Sequence, residues 1–197
     1  MPLLPVLLAL AATAQPGLTR EILAEINFAR TRPQAYAERL RGYRALFEGK
    51  VVRYPGNPVG LMTSEGVRAV DEAIRFLERQ ASLPPLEPDR RIAAAARQHA
   101  QAQGARGDAG HGAAGGLGQR LRGQGVWAGL SAENISYGFD DARDVVRQLI
   151  IDSGVPGRGH RRNIFASGHQ LAGVACGPHR AYGFMCVIDF AGSLAPR

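Results

Sequence analysis

Ser131-Ala132-Glu133-Asn134-Ile135-Ser136-Tyr137-Gly138 and, further on, Arg158-Gly159-His160-Arg161-Arg162-Asn163-Ile164 are the stretches on which the reading of this chain turns. Between them, Val145, Val146, Leu149 and Ile150 recur at spacings of three and four, the apolar stripe of an amphipathic helix. A helix therefore separates two short polar motifs. Each motif carries one side chain able to move a proton or bind a metal, Glu133 before the helix and His160 after it. Ile135 and Ile164 stand beside them as residues able to pin the backbone while the polar group faces a cleft.

Working outward, 197 residues with 45% hydrophobic and 21% charged side chains predict one ordinary globular domain with a real core. The formal charge of +7 would suit an anionic partner. However, Lys50 is the only lysine and the arginines are scattered, with one tight cluster at Arg158, Arg161 and Arg162 around the second motif. No nucleic-acid recognition signature accompanies the charge, so no nucleic-acid partner is expected.

The amino terminus is an apolar run ending in Ala12-Thr13-Ala14, a small-x-small pattern that reads as a signal-peptidase site, although no Lys or Arg precedes the run. It is too short to span a bilayer, which takes about 20 apolar residues. The expected organisation is a signal peptide over 1–14 and a single domain over 15–197, secreted or periplasmic, not transmembrane, and monomeric. Cys176 and Cys186 lie in two strand-like runs joined by Gly177-Pro178-His179-Arg180-Ala181-Tyr182-Gly183. A hairpin folded about Ala181 sets the sulfurs opposite each other, and an oxidising compartment would close them into a disulfide; two buried free thiols are the alternative.

In order after Gly17, Thr19 is placed as the cap of a helix with Ile22, Ile26 and Ala29 on its apolar face and Asn27 and Arg30 on its polar side. Pro33 begins a second helix carrying Tyr36 and Leu40. Residues 41–63 read as loop, and Ser64 as the start of a helix with Val67, Val70, Ile74 and Leu77 at helical spacing. Leu83-Pro84-Pro85-Leu86-Glu87-Pro88 separates it from an alanine-rich helix over about Asp89 to Gln103, ended by Gly104. The glycine-dense stretch to Gly129 reads as loop around a short periodic piece at Leu117 and Leu121, with His111 inside it. Helices first and short strands late point to an α+β arrangement with a small antiparallel sheet. No strand-Gly-helix phosphate cradle is present, so no nucleotide cofactor is expected.

These residues resemble a known family. Leu23-x-x-Ile26-Asn27-x-x-Arg30, Ala95-Ala96-Arg97-Gln98-His99-Ala100, Gly110-His111-Gly112, Ala132-Glu133-Asn134-Ile135, Gly159-His160-Arg161-Arg162-Asn163-Ile164 and Ala172-Gly173-Val174-Ala175 together look like the CAP superfamily (cysteine-rich secretory, antigen 5, pathogenesis-related 1), in its bacterial secreted branch. The resemblance implies an α-β-α sandwich with a surface cleft lined by two His and two acids. His111, Glu133 and His160 match three of these positions. Asp152 falls at the fourth, one carbon shorter than the family's usual Glu, and Leu149 stands where a Trp is common. The segment at about 41–80 is longer than the resemblance leads one to expect and reads as a branch-specific insertion.

Three functions compete on this reading. The favoured one is a secreted module whose cleft binds a divalent metal, Zn or a neighbour, or a small ligand, with His111, His160, Glu133 and Asp152 as the metal set. The second is a metal-dependent or peptidase-like hydrolase with His160 as general base, oriented by Glu133 toward water or Ser131. Neither a Gly-x-Ser-x-Gly elbow nor a His-Glu-x-x-His helix accompanies it. The third is an extracellular lipid-binding or interaction protein in which Glu133 and His160 form a structural ion pair. His99 reads as a packed histidine, and His169 and His179 as solvent-facing.

Overall fold

Two helices, α1 (Pro16–Thr31) and α2 (Pro33–Arg44), are parted at Arg32, where Pro33 withdraws a backbone donor and sets φ for a new first turn. The computed structural model describes residues 16–56, 58–112 and 116–194, so the leader segment 1–14 lies outside the described residues. Ile22, Ile26 and Ala29 are buried as their spacing predicts, but α1 starts before Thr19, which lies within it. Arg30 is not on a wet face. It is 1% exposed, and its guanidinium donates to the carbonyls of Pro84 (3.0 Å), Ile164 (2.5 Å), Ala166 (3.1 Å) and His169 (3.3 Å). Asn27 grips Leu86 in both directions, accepting from its N–H at 2.7 Å and donating to its carbonyl at 2.9 Å.

Residues 41–63 are more ordered than a loop. They complete α2 and then form a three-stranded antiparallel sheet of two-residue strands, β1 (Phe47–Glu48), β2 (Val51–Val52) and β3 (Leu61–Met62). Strands this short fall below any alternation signal. Helix α3 (Val67–Arg79) begins three residues after Ser64 and buries Val70, Ile74 and Leu77.

Helix α4 (Arg90–Arg106) follows the two-residue strand β4 (Glu87–Pro88) and is capped by Asp89, whose carboxylate accepts from the N–H groups of Arg91 and Ile92. It runs past Gly104 to Gly107, which takes the left-handed terminal conformation. Gly104 has another reason to be glycine: a Cβ there would sit 2.3 Å from the carbonyl oxygen of Pro178. A short helix, α5 (Gly116–Gly123), follows where Leu117 and Leu121 predict one.

The first polar motif is itself a strand, β5 (Ser131–Tyr137), and leads into α6 (Ala142–Ile151), capped by Asp141. Val145, Val146, Leu149 and Ile150 of α6 are all buried. A left-handed Asp152 and a 3₁₀ turn at Pro156–Arg158 connect α6 to α7 (Gly159–Ile164), which carries the second motif. The chain closes with the hairpin β6 (Leu171–His179) and β7 (Gly183–Ala191), in which Cys176 opposes Cys186 and the two are joined by a disulfide.

The main sheet has the order β4-β6-β7-β5, antiparallel except that β4 is added in parallel at one margin. Side chains alternate across it. Ala172, Val174, Cys186, Ile188 and Phe190 pack with α1, α2, α3 and α6 on one face. Ile135, Ala175, Met185 and Val187 meet Ala96 and Ala100 of α4 on the other. This is the α-β-α sandwich expected, and it leaves β5 as an edge strand flanked by a helical layer on each side.

Candidate functional site

Alternation along β5 divides the Glu-Asn-Ile motif between the two layers. Glu133 and Ile135 face α4, while Asn134 and Ser136 face α6 and α7. Asn134 donates to the carbonyl of His160 at 3.0 Å and accepts from Asn163 at 2.8 Å, so the strand fixes α7 beside it. Ser136 donates to Gln148 of α6.

Glu133 is 6% exposed, and its Oε1 accepts from His111 Nδ1 at 2.9 Å while Oε2 pairs with Arg120 of α5. Burial alone would raise its pKa. The hydrogen bond from His111 and the positive charges of Arg120 and His99 outweigh that and hold the carboxyl below its ordinary value. The same hydrogen bond raises His111 above the usual histidine range, against the opposing effect of burial. His111 keeps its ring half in solvent, with a side-chain exposure of 58%.

The loop holding His111 is strapped down on several sides. Gly110 O accepts from Gln103 Nε2 at 2.6 Å and His99 Nε2 at 3.2 Å, and Gly110 N donates to the Tyr137 hydroxyl at 2.9 Å. Asp108 O accepts from His179 Nε2 at 2.7 Å. Glycine density in a sequence suggests slack, but here it allows backbone groups to approach polar side chains closely.

On the other layer, Asp152 closes α6 with φ 56° and ψ 39°, a conformation that short polar side chains tolerate. Its Oδ2 accepts from the backbone N–H of His160 at 2.9 Å, and its Oδ1 from His160 Nδ1 at 2.7 Å. The cluster thus pairs as Glu133 with His111 and Asp152 with His160. The Glu133–His160 ion pair of the third reading is not formed, because Glu133 faces α4 from one side of β5 while His160 stands on α7 at the other. For the same reason Glu133 does not orient His160 as a base, and Ser131 is not among the described residues lining the cavity beside it.

The rings of His111 and His160 come together around the β5 edge, their centroids 6.4 Å apart with an interplanar angle of 41°. Both line one cavity of about 690 Å³, together with Ile135, Tyr137 and Asp152. A carboxylate accepts only, so Nδ1 of each histidine carries the hydrogen and the neutral imidazole has its lone pair on Nε2. Neither Nε2 bonds to a described residue. Among the described residues, however, no group of three or more His, Cys, Asp or Glu side chains is arranged to hold a metal ion, so the four residues are not a ready-made ligand set.

Other polar residues differ from their expected places. His169 and His179 are buried, at 3% and 2% exposed, not solvent-facing. His169 stacks on Phe190, its Nδ1 2.9 Å from Asn163 O, and His179 accepts from Ala181 N and Tyr182 N besides its bond to Asp108. His99 is packed as predicted, although its Nε2 lies 4.0 Å from Glu133. Arg158 is drawn to Glu65 and Glu72, and Arg161 to the carbonyls of Ile150 and Ile151, so neither faces the cavity as a free cation. Arg120 and Asp189 escaped the sequence reading. Asp189, opposite Glu133 across β5 and β7, is fully buried and meets no hydrogen-bond donor on either oxygen among the described residues; burial, the nearby Glu133 charge and the hydrogen bond it can give Glu133 when protonated push its pKa up to about 9. An acid inside the run Cys186-Val187-Ile188-Asp189-Phe190 was the available signal.

The α-β-α sandwich thus brings two carboxylate-oriented histidines together over one edge of its sheet. The chain belongs to the CAP family, described as the cysteine-rich secretory protein family, whose model matches residues 26–190. No curated protein matches the sequence. Among solved structures, similarity extends to an extracellular protein containing a SCP domain from Bacillus anthracis str. Ames, at 21% identity and a TM-score of 0.47. It extends also to a cysteine-rich secretory protein from Staphylococcus aureus subsp. aureus Mu50, at 16% identity and a TM-score of 0.43. Each match covers 64% of this chain and 38% of the other. No helix among the described residues is long and apolar enough to cross a membrane.

Proposed function

We propose that this CAP-family chain is exported and that its cleft binds a divalent metal ion or a small ligand through Nε2 of His111 and His160. One observation carries the reading: two imidazoles on one cavity, each with Nδ1 held by its own carboxylate and Nε2 without a bond to any described residue. A carboxylate behind a histidine fixes the tautomer and raises the basicity of the other nitrogen, which is how proteins orient a ligating ring. A metal would be held by His111 and His160, with Glu133 and Asp152 orienting them and solvent or ligand filling the remaining positions. Such an ion would act as a Lewis acid toward whatever else enters the cleft. Two protein donors predict modest affinity. Export accords with the Ala12-Thr13-Ala14 leader pattern and with a disulfide between Cys176 and Cys186.

Calorimetric titration with Zn at pH 7.5 and pH 5.5 tests this. Micromolar or weaker binding is expected at pH 7.5, falling by about tenfold or more at pH 5.5, because an imidazole must shed its proton to ligate. The loss begins at a higher pH than for a free imidazole, near 6.5, since Glu133 raises the pKa of His111. Affinity unchanged in His111→Ala/His160→Ala would refute the assignment.

A further inference from the structure

We infer that the cleft has a second, apolar subsite built by Tyr43, Phe47, Tyr54, Leu61 and Met62, and that its ligand is a small two-part molecule: a head that meets the imidazoles and an aromatic body. For the head the inference rests on the reading above; for the body it stands on a different wall of the same cavity.

That wall comes from the segment the sequence marks as an insertion. Tyr43, Phe47, Tyr54, Leu61 and Met62 line the cavity that His111 and His160 enter. Tyr43 meets Phe47 edge to face at 5.2 Å and Tyr54 at 6.2 Å. The Arg147 guanidinium lies 4.0 Å from the Tyr43 ring centroid, bonds the Tyr54 hydroxyl at 2.8 Å and pairs with Asp144, so this cation is already neutralised. Leu61 and Met62 are 44% and 70% exposed, large apolar side chains left uncovered on a concave surface.

The wall is tied to the polar end. Thr63 N donates to Lys50 O at 2.9 Å, and the backbone of Gly154 and the guanidinium of Arg158 both bond Glu65. Arg158 in turn donates at 2.8 Å to the backbone carbonyl of Asp152, the same residue whose carboxylate orients His160. The apolar wall and the Asp152–His160 pair are therefore tied together. A cavity of about 690 Å³ falls within the range that encloses a single small molecule, roughly 300–1,000 Å³. An apolar lining with a few convergent polar groups at one end sets the polarity of its occupant.

Fluorescence titration of the full chain with 1-anilinonaphthalene-8-sulfonate, an apolar double ring with one anionic head, tests the inference. Saturable one-to-one binding is expected. Leu61→Ser/Met62→Ser should weaken it about tenfold while leaving Zn affinity and the far-UV circular dichroism unchanged. Met62→Ser alone, at the most exposed of these positions, should weaken it about threefold. Trp127→Ser, an exposed apolar site outside the cavity lining, should stay within twofold of the parent. Unsaturable binding, or an equal response in Leu61→Ser/Met62→Ser and Trp127→Ser, overturns the subsite. Probe binding that behaves as stated while Zn fails to bind supports the subsite and removes the metal reading alone.

Discussion

Glu133 and His160 stand in different dielectric surroundings, and that difference sets what their loss should do. The Glu133 side chain is 3% exposed and neutralises Arg120, itself 11% exposed, so Glu133→Ala strands a largely buried charge and should cost about 3–5 kcal/mol. His160 is 22% exposed, and Asp152 keeps its backbone donor at His160 when the ring is removed, so His160→Ala should cost about 1–2 kcal/mol. Leu149→Ala, 1% exposed, gives the core benchmark of roughly 2–5 kcal/mol. Denaturant melts of the three rank them; a Glu133→Ala variant as mild as His160→Ala would contradict this electrostatic account. An open cleft with mild losses at both positions is what the glycine-rich approach suggests from sequence alone, and the burial of Glu133 reverses it for that residue. Asp189 adds a pH test. Folded Asp189 keeps its proton up to about 9, whereas unfolded aspartate loses it near pH 3.9. Between these values the native state binds the extra proton, so its contribution is fully present below about pH 3.9 and is lost as pH rises toward 9. Asp189→Asn, which has no proton to hold, should therefore stabilise the protein at pH 7 by about 1–4 kcal/mol, with a gain that grows from pH 5 to pH 8. A pH-independent difference in melting would show that Asp189 is not the protonated group.

The helices were legible because each carries its own period. Val145, Val146, Leu149 and Ile150 announce α6, and Pro33 announces the start of α2. Strands β1 to β3, two residues each, have no pattern to read, and β4 gains its place only by pairing with Leu171 and Ala172 across the fold. Gly104 was misread as a helix end for a related reason: the sequence shows a glycine, but not the Pro178 carbonyl lying against it. The same contact makes a prediction. In an isolated helix Gly→Ala gains about 1 kcal/mol. Here the added Cβ would meet a backbone oxygen at 2.3 Å, and the paired hairpin holding that oxygen cannot retreat cheaply. Gly104→Ala should thus be net destabilising by about 1–3 kcal/mol, read as a drop in melting temperature. A rise in melting temperature would mean that α4 and β6 are less tightly apposed than described.

Across the whole molecule, the site is a product of layering. His111 belongs to the loop beyond α4 on one face of the sheet, and His160 to α7 on the other. They meet only because β5 is an edge strand that both layers overhang. Sequence motifs name the four residues but not their partners, and the Glu133–His160 pairing of the two alternative readings fails, since adjacency along the chain says nothing about which side of a ribbon each side chain takes. The straps on the His111 loop, from His99, Gln103, Tyr137 and His179, were illegible for the same reason. At mildly alkaline pH both site histidines are therefore Nδ1–H tautomers whose Nε2 atoms bond no described residue and share a common cavity. Long-range ¹H–¹⁵N correlation spectra of the histidine rings at pH 8 test it directly. The account predicts Nδ1–H tautomers for His111 and His160 and Nε2–H tautomers for His99 and His179, with added Zn shifting only the first pair. Nε2–H tautomers at His111 and His160, or Zn shifts spread evenly over all five histidines, would contradict it.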